Sequence, residues 1–263
     1  MTATDTDIRT ASEGRDLPSD GKPLMSLRGI SKTFGSHQAL RGVDLDIFAG
    51  ECVGLIGDNA AGKSTLSKII AGTHVPDGGQ IRLRDEQVSF QSPADARARH
   101  IEMVYQDLSL CDHIDVVGNL FLGREMKKGP FLDQERMIER AEEMLARLEI
   151  RIPRLTAKVE KLSGGQRQAI AIARAASFEP DILIMDEPTS ALAVAEVEAV
   201  LELINRVKAR GVGVILVTHR MQDLFRVCDR IAVMYEGTKV AERRTSETNL
   251  EELVDLIVGK GGH

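Results

Sequence analysis

Tryptophan is absent, and two Tyr and seven Phe bring the aromatic residues to only 3% of the chain. The bases of a nucleic acid would find few rings to stack on. Charge points the same way: 34 Lys and Arg against 40 Asp and Glu leave a formal net charge of -6, with no basic surplus to neutralise a phosphate backbone. Nucleic acid is therefore not an expected partner. No apolar run approaches the roughly 20 residues needed to cross a bilayer, and the opening MTATDTDIRTASEGRD lacks the apolar core of a signal peptide. The expected compartment is the cytoplasm. The three cysteines, Cys52, Cys111 and Cys228, are scattered without C-x-x-C spacing, and no two of the six histidines form H-x-x-x-H or H-E-x-x-H. Free thiols are expected, and neither a disulfide framework nor a protein-held transition metal.

What the chain does have is the make-up of an ordinary globular protein, 263 residues with 43% hydrophobic and 28% charged. One composite domain with a small subdomain fits that length. Residues 1–23, rich in Thr, Ser, Asp, Gly and Pro, lack periodicity and read as a disordered tail, leaving 24–263 as the folded unit. LMSLRGISKTF, VDLDI and ECVGLIG predict three strands split by glycine-containing turns. Lys63 to Ala71 reads as helix, Gln80 to Leu83 as extended chain and Ile101 to Tyr105 as a buried strand. From about 107 to 177 strand signals vanish. Met137, Ile138, Ala141, Met144, Leu145 and Leu148 fall there at helical spacing, which predicts a helical insertion. Strands resume at DILIM, GVILVT and RIAVMY, alternating with a helix whose apolar face is Val197, Val200, Leu201, Ile204 and Val207. This alternation predicts an α/β fold with a mainly parallel sheet. Thr248-Asn249-Leu250-Glu251 has the spelling of a capping box opening a last helix with Leu253, Leu256 and Ile257.

Three segments carry chemistry. GDNAAGKST, Gly57 to Thr65, follows an apolar strand, opens a helix and fits G-x-x-x-x-G-K-S/T at Gly57, Gly62, Lys63 and Ser64. The backbone N–H groups of Gly57, Asp58, Asn59, Ala60, Ala61 and Gly62 can wrap phosphates at a helix N-terminus. Lys63 neutralises the β/γ oxygens, the Ser64 hydroxyl coordinates Mg²⁺, and Thr65 adds a contact towards the α-phosphate. DILIM ends in Asp186-Glu187, two carboxylates at the carboxyl edge of a sheet, where ligands of open α/β folds sit. Asp186 would hold Mg²⁺ through water, and Glu187 would orient and deprotonate the attacking water. LSGGQRQ is a capping box through Ser163 and Gln166 ahead of AIAIARAA. Its adjacent Gly164 and Gly165 also predict bare N–H groups aimed along a helix dipole, a second anion site in one chain.

With these segments in this order the chain resembles the ATP-binding cassette family, whose Walker A, signature and Walker B elements match GDNAAGKST, LSGGQ and ILIMDE. The resemblance runs over nearly everything from Leu24 onward. It implies a P-loop NTPase domain: a mainly parallel core, an antiparallel β subdomain and an inserted α-helical subdomain. It implies ATP and Mg²⁺ as ligands. It also implies a head-to-tail dimer in which Ser163, Gly164, Gly165 and Gln166 of one subunit close over the ATP held by Lys63 of the other. Phe34 in SKTFG matches the aromatic residue that stacks on adenine. Gln106 in VYQD matches the glutamine joining the Mg²⁺ and water site to the helical subdomain, and His219 in LVTHR the histidine that contacts the γ-phosphate.

Two positions depart from the family pattern. Ala60 stands where a glycine is usual; a positive φ there would cost about 1 kcal/mol. Ala193 in SALA stands where many relatives have Asp, although some sugar importers also lack it. DLSLCDHIDVVGNLFLGRE, after Gln106, lies where the family meets the coupling helix of its membrane subunit. Its wording, with SPADARA and VTHRMQDLFRVCDRIAVMYEG, is similar to the ATPases of monosaccharide importers of the ribose, xylose and fructose group. A single cassette, as in the fructose type, implies a homodimer at the cytoplasmic face of the membrane, a transmembrane permease and an extracytoplasmic sugar-binding protein. An exporter ATPase and a non-transport cassette remain as rival readings.

Overall fold

The computed structural model describes residues 21–258, so the tail expected over 1–23 lies outside the described residues up to position 20, as do the last five positions of the chain. In chain order the elements begin with β1 (Met25–Phe34), β2 (His37–Ile47), β3 (Cys52–Gly57) and α1 (Lys63–Ile70). Next come β4 (Gly78–Leu83), β5 (Glu86–Val88), α2 (Pro93–Ala98), β6 (Ile101–Val104) and α3 (Val116–Leu120). A small hairpin, β7 (Lys127–Lys128) and β8 (Phe131–Leu132), precedes α4 (Gln134–Arg147) and α5 (Gly164–Ala176). The chain then runs through β9 (Ile182–Asp186), α6 (Val194–Ala209), β10 (Gly213–Val217), α7 (Met221–Val227), β11 (Arg230–Tyr235), β12 (Thr238–Arg244) and α8 (Leu250–Ile257).

Two sheets organise these elements. The larger has the order β12-β11-β3-β10-β9-β6, parallel throughout except for β12, which returns antiparallel along the edge. Its middle strands read as unbroken apolar runs because both faces are covered. Leu183 and Met185 of β9 and Val214 and Leu216 of β10 join one core with α4, α5 and α6. Their neighbours Ile182, Ile184, Ile215 and Val217 join a second core with α1 and the smaller sheet. Successive side chains on a strand point to opposite faces, so each run serves both layers. The smaller sheet, β2-β1-β4-β5, is antiparallel.

Two local expectations are corrected, and one helix is added to them. The segment 107–177 is helical in α3, α4 and α5 but also holds the β7–β8 hairpin, whose two-residue strands are too short to show any period. The last helix is capped one residue later than its spelling suggests. Asn249 accepts from Glu252 N at 2.9 Å, and Thr248 donates its hydroxyl to the Glu252 side chain at 2.8 Å. SPADARA is a short helix, α2, whose N-cap Ser92 forms a reciprocal capping box with Asp95.

The sheets meet at a joint behind the phosphate loop. Gly237, in the β11–β12 turn, accepts from Arg41 N at 2.8 Å and donates to Ala61 O at 3.2 Å. Gly237 has a φ of 80°, and a Cβ there would lie 2.8 Å from Ala39 O. Gly62 faces the same stretch of β2, where a Cβ would come within 2.6 Å of Ala39 O.

Candidate functional site

β3 delivers the chain into the phosphate loop at Gly57, where a Cβ would sit 2.1 Å from Met234 O of β11; only glycine fits this approach. Ala60 has a φ of 70°, in the left-handed region that L residues enter at a cost. Gly62, at φ 96°, is the N-cap of α1, and no side chain caps this helix. Its first-turn N–H groups therefore face outward with the positive end of the helix dipole, beside the exposed Ser64 and the half-buried Thr65. Lys63 folds its amine back onto the loop, donating to Gly57 O at 2.8 Å and Asp58 O at 2.9 Å. Burial lowers the pKa of this lysine, and the charges of Glu187, Asp58 and Asp186 partly restore it.

β9 pairs with β10 in a register that sets Asp186 opposite Val217. Asp186 is 8% exposed; burial first, and Glu187 second, raise its pKa, while Lys68 and Lys63 pull the other way. Glu187 leaves the strand in the left-handed region, φ 52°, with its N–H donating to Val217 O at 2.8 Å. This turn brings its Oε2 to 2.8 Å from Nδ1 of His219. The alignment is not that of a hydrogen bond, and Oε2 is left buried without a donor. Lys63, Asp186, Glu187 and His219 thus gather at the carboxyl edge of the parallel sheet, where an anion can meet a base. A buried carboxylate of raised pKa beside a second one suits a divalent cation, whose charge would offset both desolvation and mutual repulsion.

Gln106 is exposed and lies two residues beyond β6, which pairs with β9 so that Val104 stands opposite Met185, the residue before Asp186. Phe34 ends β1 and is 43% exposed. Its ring meets that of His74 edge to face at 5.2 Å and 67°, and Lys32 Nζ lies 5.5 Å from its centroid. Burial first, then the Lys68 charge, lowers the His74 pKa. Neither His74 nor Lys32 stood out in the sequence: Lys32 lies two residues back on β1, and His74, in the α1–β4 connection, comes near Phe34 only once β4 pairs with β1.

The signature segment sits apart from the lysine and carboxylates. Ser163 caps α5 and forms the expected box: its hydroxyl accepts from Gln166 N at 3.2 Å, and Gln166 Oε1 accepts from Ser163 N at 3.0 Å. The second glycine amide is not bare, however. Gly165 N–H donates to Glu196 Oε1 at 3.1 Å, and the same carboxylate accepts from Ala193 N at 3.3 Å. Ser163 first, then the Gly165 and Ala193 amides, hold this carboxyl below its ordinary range. A Cβ on Gly165 would lie 2.9 Å from Glu196 Cβ, so glycine makes room for the crossing, and Gly164 packs against Leu192. Glu196 caps two helices across 31 residues of sequence, a distance no local motif encodes.

A sequence profile of the ABC transporter family matches residues 40–190. The chain is 45% identical over 234 residues to the xylose/arabinose import ATP-binding protein of Sulfolobus acidocaldarius, covering 89% of this chain and 93% of that protein. It is 40% identical over 246 residues to the fructose import ATP-binding protein of Rhizobium meliloti, with 90% and 95% covered. A galactose/methyl galactoside import ATP-binding protein of Photobacterium profundum is 38% identical, but the match spans only 48% of its length. Among solved structures, a nucleotide-free ATP-binding cassette from an ABC transporter superposes with a TM-score of 0.75 at 26% identity, covering 90% of this chain and 96% of that one. A dimeric post-hydrolysis cassette bound to ADP and Pi gives 0.71 at 28% identity, with 84% and 98% covered. The order of motifs, the two-layer fold and these matches agree: the chain belongs to the ABC transporter family, as an ATP-binding cassette.

Proposed function

We propose that this chain is the ATP-hydrolysing subunit of a monosaccharide importer, acting as a homodimer at the cytoplasmic face of the membrane beneath a permease fed by an extracytoplasmic sugar-binding protein. The observation that carries the chemistry is the convergence of Lys63, Asp186, Glu187 and His219 on one sheet edge beside the uncapped start of α1. The sugar assignment rests on relatives named for pentose and hexose import, two of which match this chain over 93% and 95% of their own length.

In the proposed cycle the ATP phosphates settle on the amides of Gly57 to Gly62 and of the first turn of α1, with Ser64 and Thr65 alongside. Lys63 gives up the Gly57 and Asp58 carbonyls to reach the β- and γ-phosphates. Ser64, Gln106 and Asp186 would hold Mg²⁺, which supplies charge neutralisation on the phosphates when bound. Phe34 offers its exposed ring to the adenine. Glu187 orients the attacking water and takes its proton, while His219 faces the γ-phosphate. Ser163, Gly164, Gly165 and Gln166 of the partner complete the site, so ATP acts as the closing contact of the dimer.

A groove of about 390 Å³ lies beside the segment that follows Gln106, lined by Tyr105, Ser109, Leu122, Arg124, Arg174 and Phe178 among others. Arg174 holds the Leu108 and Ser109 carbonyls at 2.9 and 2.8 Å, tying α5 to the chain that leaves Gln106. A permease helix seated there would feel the cassette open and close. Two measurements test this function. Glu187→Gln is expected to lower steady-state ATPase activity by at least about a hundredfold while ATP still binds; substantial remaining turnover removes Glu187 as the base. Uptake of labelled pentoses and hexoses by a strain deleted for the gene and complemented with it tests the cargo, and no response from any sugar removes the import assignment.

A further inference from the structure

The turn carrying Glu187 and the turn carrying His219 are joined a second time, behind the catalytic face. Thr189, two residues beyond Glu187, and Asp223, four beyond His219, are 1% and 3% exposed. The Thr189 hydroxyl donates to Asp223 Oδ2 at 2.5 Å. Arg220, the neighbour of His219, closes the link: its Nη1 donates to Thr189 O at 3.2 Å, and its Nε lies 3.3 Å from Asp223 Oδ2. In front, Glu187 N–H holds Val217 O at 2.8 Å, and Arg220 N–H holds Thr218 Oγ1 at 3.0 Å. These contacts form a ring with one open side, the 2.8 Å approach of His219 Nδ1 to Glu187 Oε2.

A buried carboxylate is a costly way to fill space, since an apolar side chain of similar volume would usually serve stability as well or better. What it adds is direction. A short charged hydrogen bond between two buried groups is satisfied in one arrangement of the two turns and is lost when either shifts. α7, which carries Asp223, is anchored in turn: Leu224 packs so closely on β3 that a Cβ at Gly54 would fall 2.6 Å from its Cδ2. The strand that feeds the phosphate loop, the base and the histidine are therefore referenced to one another through α7.

We propose that Asp223 is a positioning residue for hydrolysis, which sets the separation of Glu187 and His219 through Thr189 and Arg220 and touches neither nucleotide nor water. The proposal rests on the reading that Glu187 and His219 act on the γ-phosphate. Its test compares ATPase activity, affinity for a fluorescent ATP analogue and thermal stability in the full chain carrying Asp223→Asn, Thr189→Val, both changes, or Thr189→Ser. Each of the first two is expected to lower kcat about tenfold or more with nucleotide Kd within about twofold of wild type. The double variant is expected to be no slower than the worse single, because Asp223→Asn removes the charge and Thr189→Val the donor of one and the same link. Thr189→Ser, which keeps the hydroxyl, is expected to restore kcat.

Unchanged kcat in Asp223→Asn overturns the proposal, as does a loss that multiplies in the double variant. A purely structural role would lower kcat, affinity and stability together and leave Thr189→Ser impaired. If Asp223→Asn fails to fold, the near-isosteric Thr189→Val with its serine control decides alone. A fully active Glu187→Gln overturns the functional reading and the proposal with it. An inactive Glu187→Gln beside a wild-type Asp223→Asn overturns the proposal only.

Discussion

Two residues of the site hold backbone that side chains disfavour, and each has a different reason. Ala60, at φ 70°, lies in the phosphate loop, where amides must point inward; Glu187, at φ 52°, turns sharply so that its carboxylate meets His219. Left-handed backbone costs an alanine about 1 kcal/mol relative to glycine, a factor of about five in an equilibrium. Ala60→Gly is therefore expected to tighten ATP binding by up to about fivefold, measured by titration; unchanged affinity would mean that the loop holds this conformation whether or not nucleotide is present. Asp186 stores cost in another form. Its folded-state pKa is raised, chiefly by burial. A carboxyl raised above its unfolded value favours folding when protonated and opposes it once pH climbs through the raised pKa. Above that raised pKa the ionised Asp186 thus weakens the fold. Asp186→Asn is expected to raise the melting temperature of the nucleotide-free protein by a few degrees while abolishing hydrolysis, with the stability gap closing as pH falls towards the ordinary carboxyl range. Calorimetry across pH reads the first effect, and an ATPase assay the second.

At the scale of elements, what could be read in the sequence was what is local. β3, β9 and β10 announce themselves because both faces are buried, so nearly every position is apolar up to Asp186 at the end of β9, and α6 shows its buried stripe of Val197, Val200, Leu201, Ile204 and Val207. The Ser163–Gln166 box is written in four consecutive residues and forms as spelled. What escaped is non-local or too short. Two-residue strands carry no period, and Thr248 and Asn249 compete for one cap with near-equal chemistry. Glu196 reaches Gly165 only after α6 has packed beside α5. That last contact has a testable effect on assembly, since Glu196 holds negative charge against the amide that a partner's γ-phosphate would need. Glu196→Gln weakens this competition, and the ATP concentration giving half-maximal dimer is expected to fall about twofold to tenfold, read by light scattering in a Glu187→Gln background. A half-maximum that stays put or rises would mean that Glu196 fixes the signature loop rather than competing for its amide.

For the whole molecule, the site is an edge where two sheets end together, the larger one reaching the smaller through its β11–β12 turn. Among the described residues no helix is long and apolar enough to cross a membrane. The joint at Gly237 binds those sheets without offering any group to a ligand, and it accepts no side chain: the φ of 80° and the nearness of Ala39 O both exclude one. Gly237→Ala is expected to push β2 away from the phosphate loop and to lower ATP affinity severalfold, detectable by the same titration. In a genetic screen for failed uptake, this glycine would score beside Lys63 and Glu187. A map drawn from such a screen alone would then place the nucleotide a strand away from where it binds, because a missense allele reports on whatever holds the loop in shape as readily as on the loop itself.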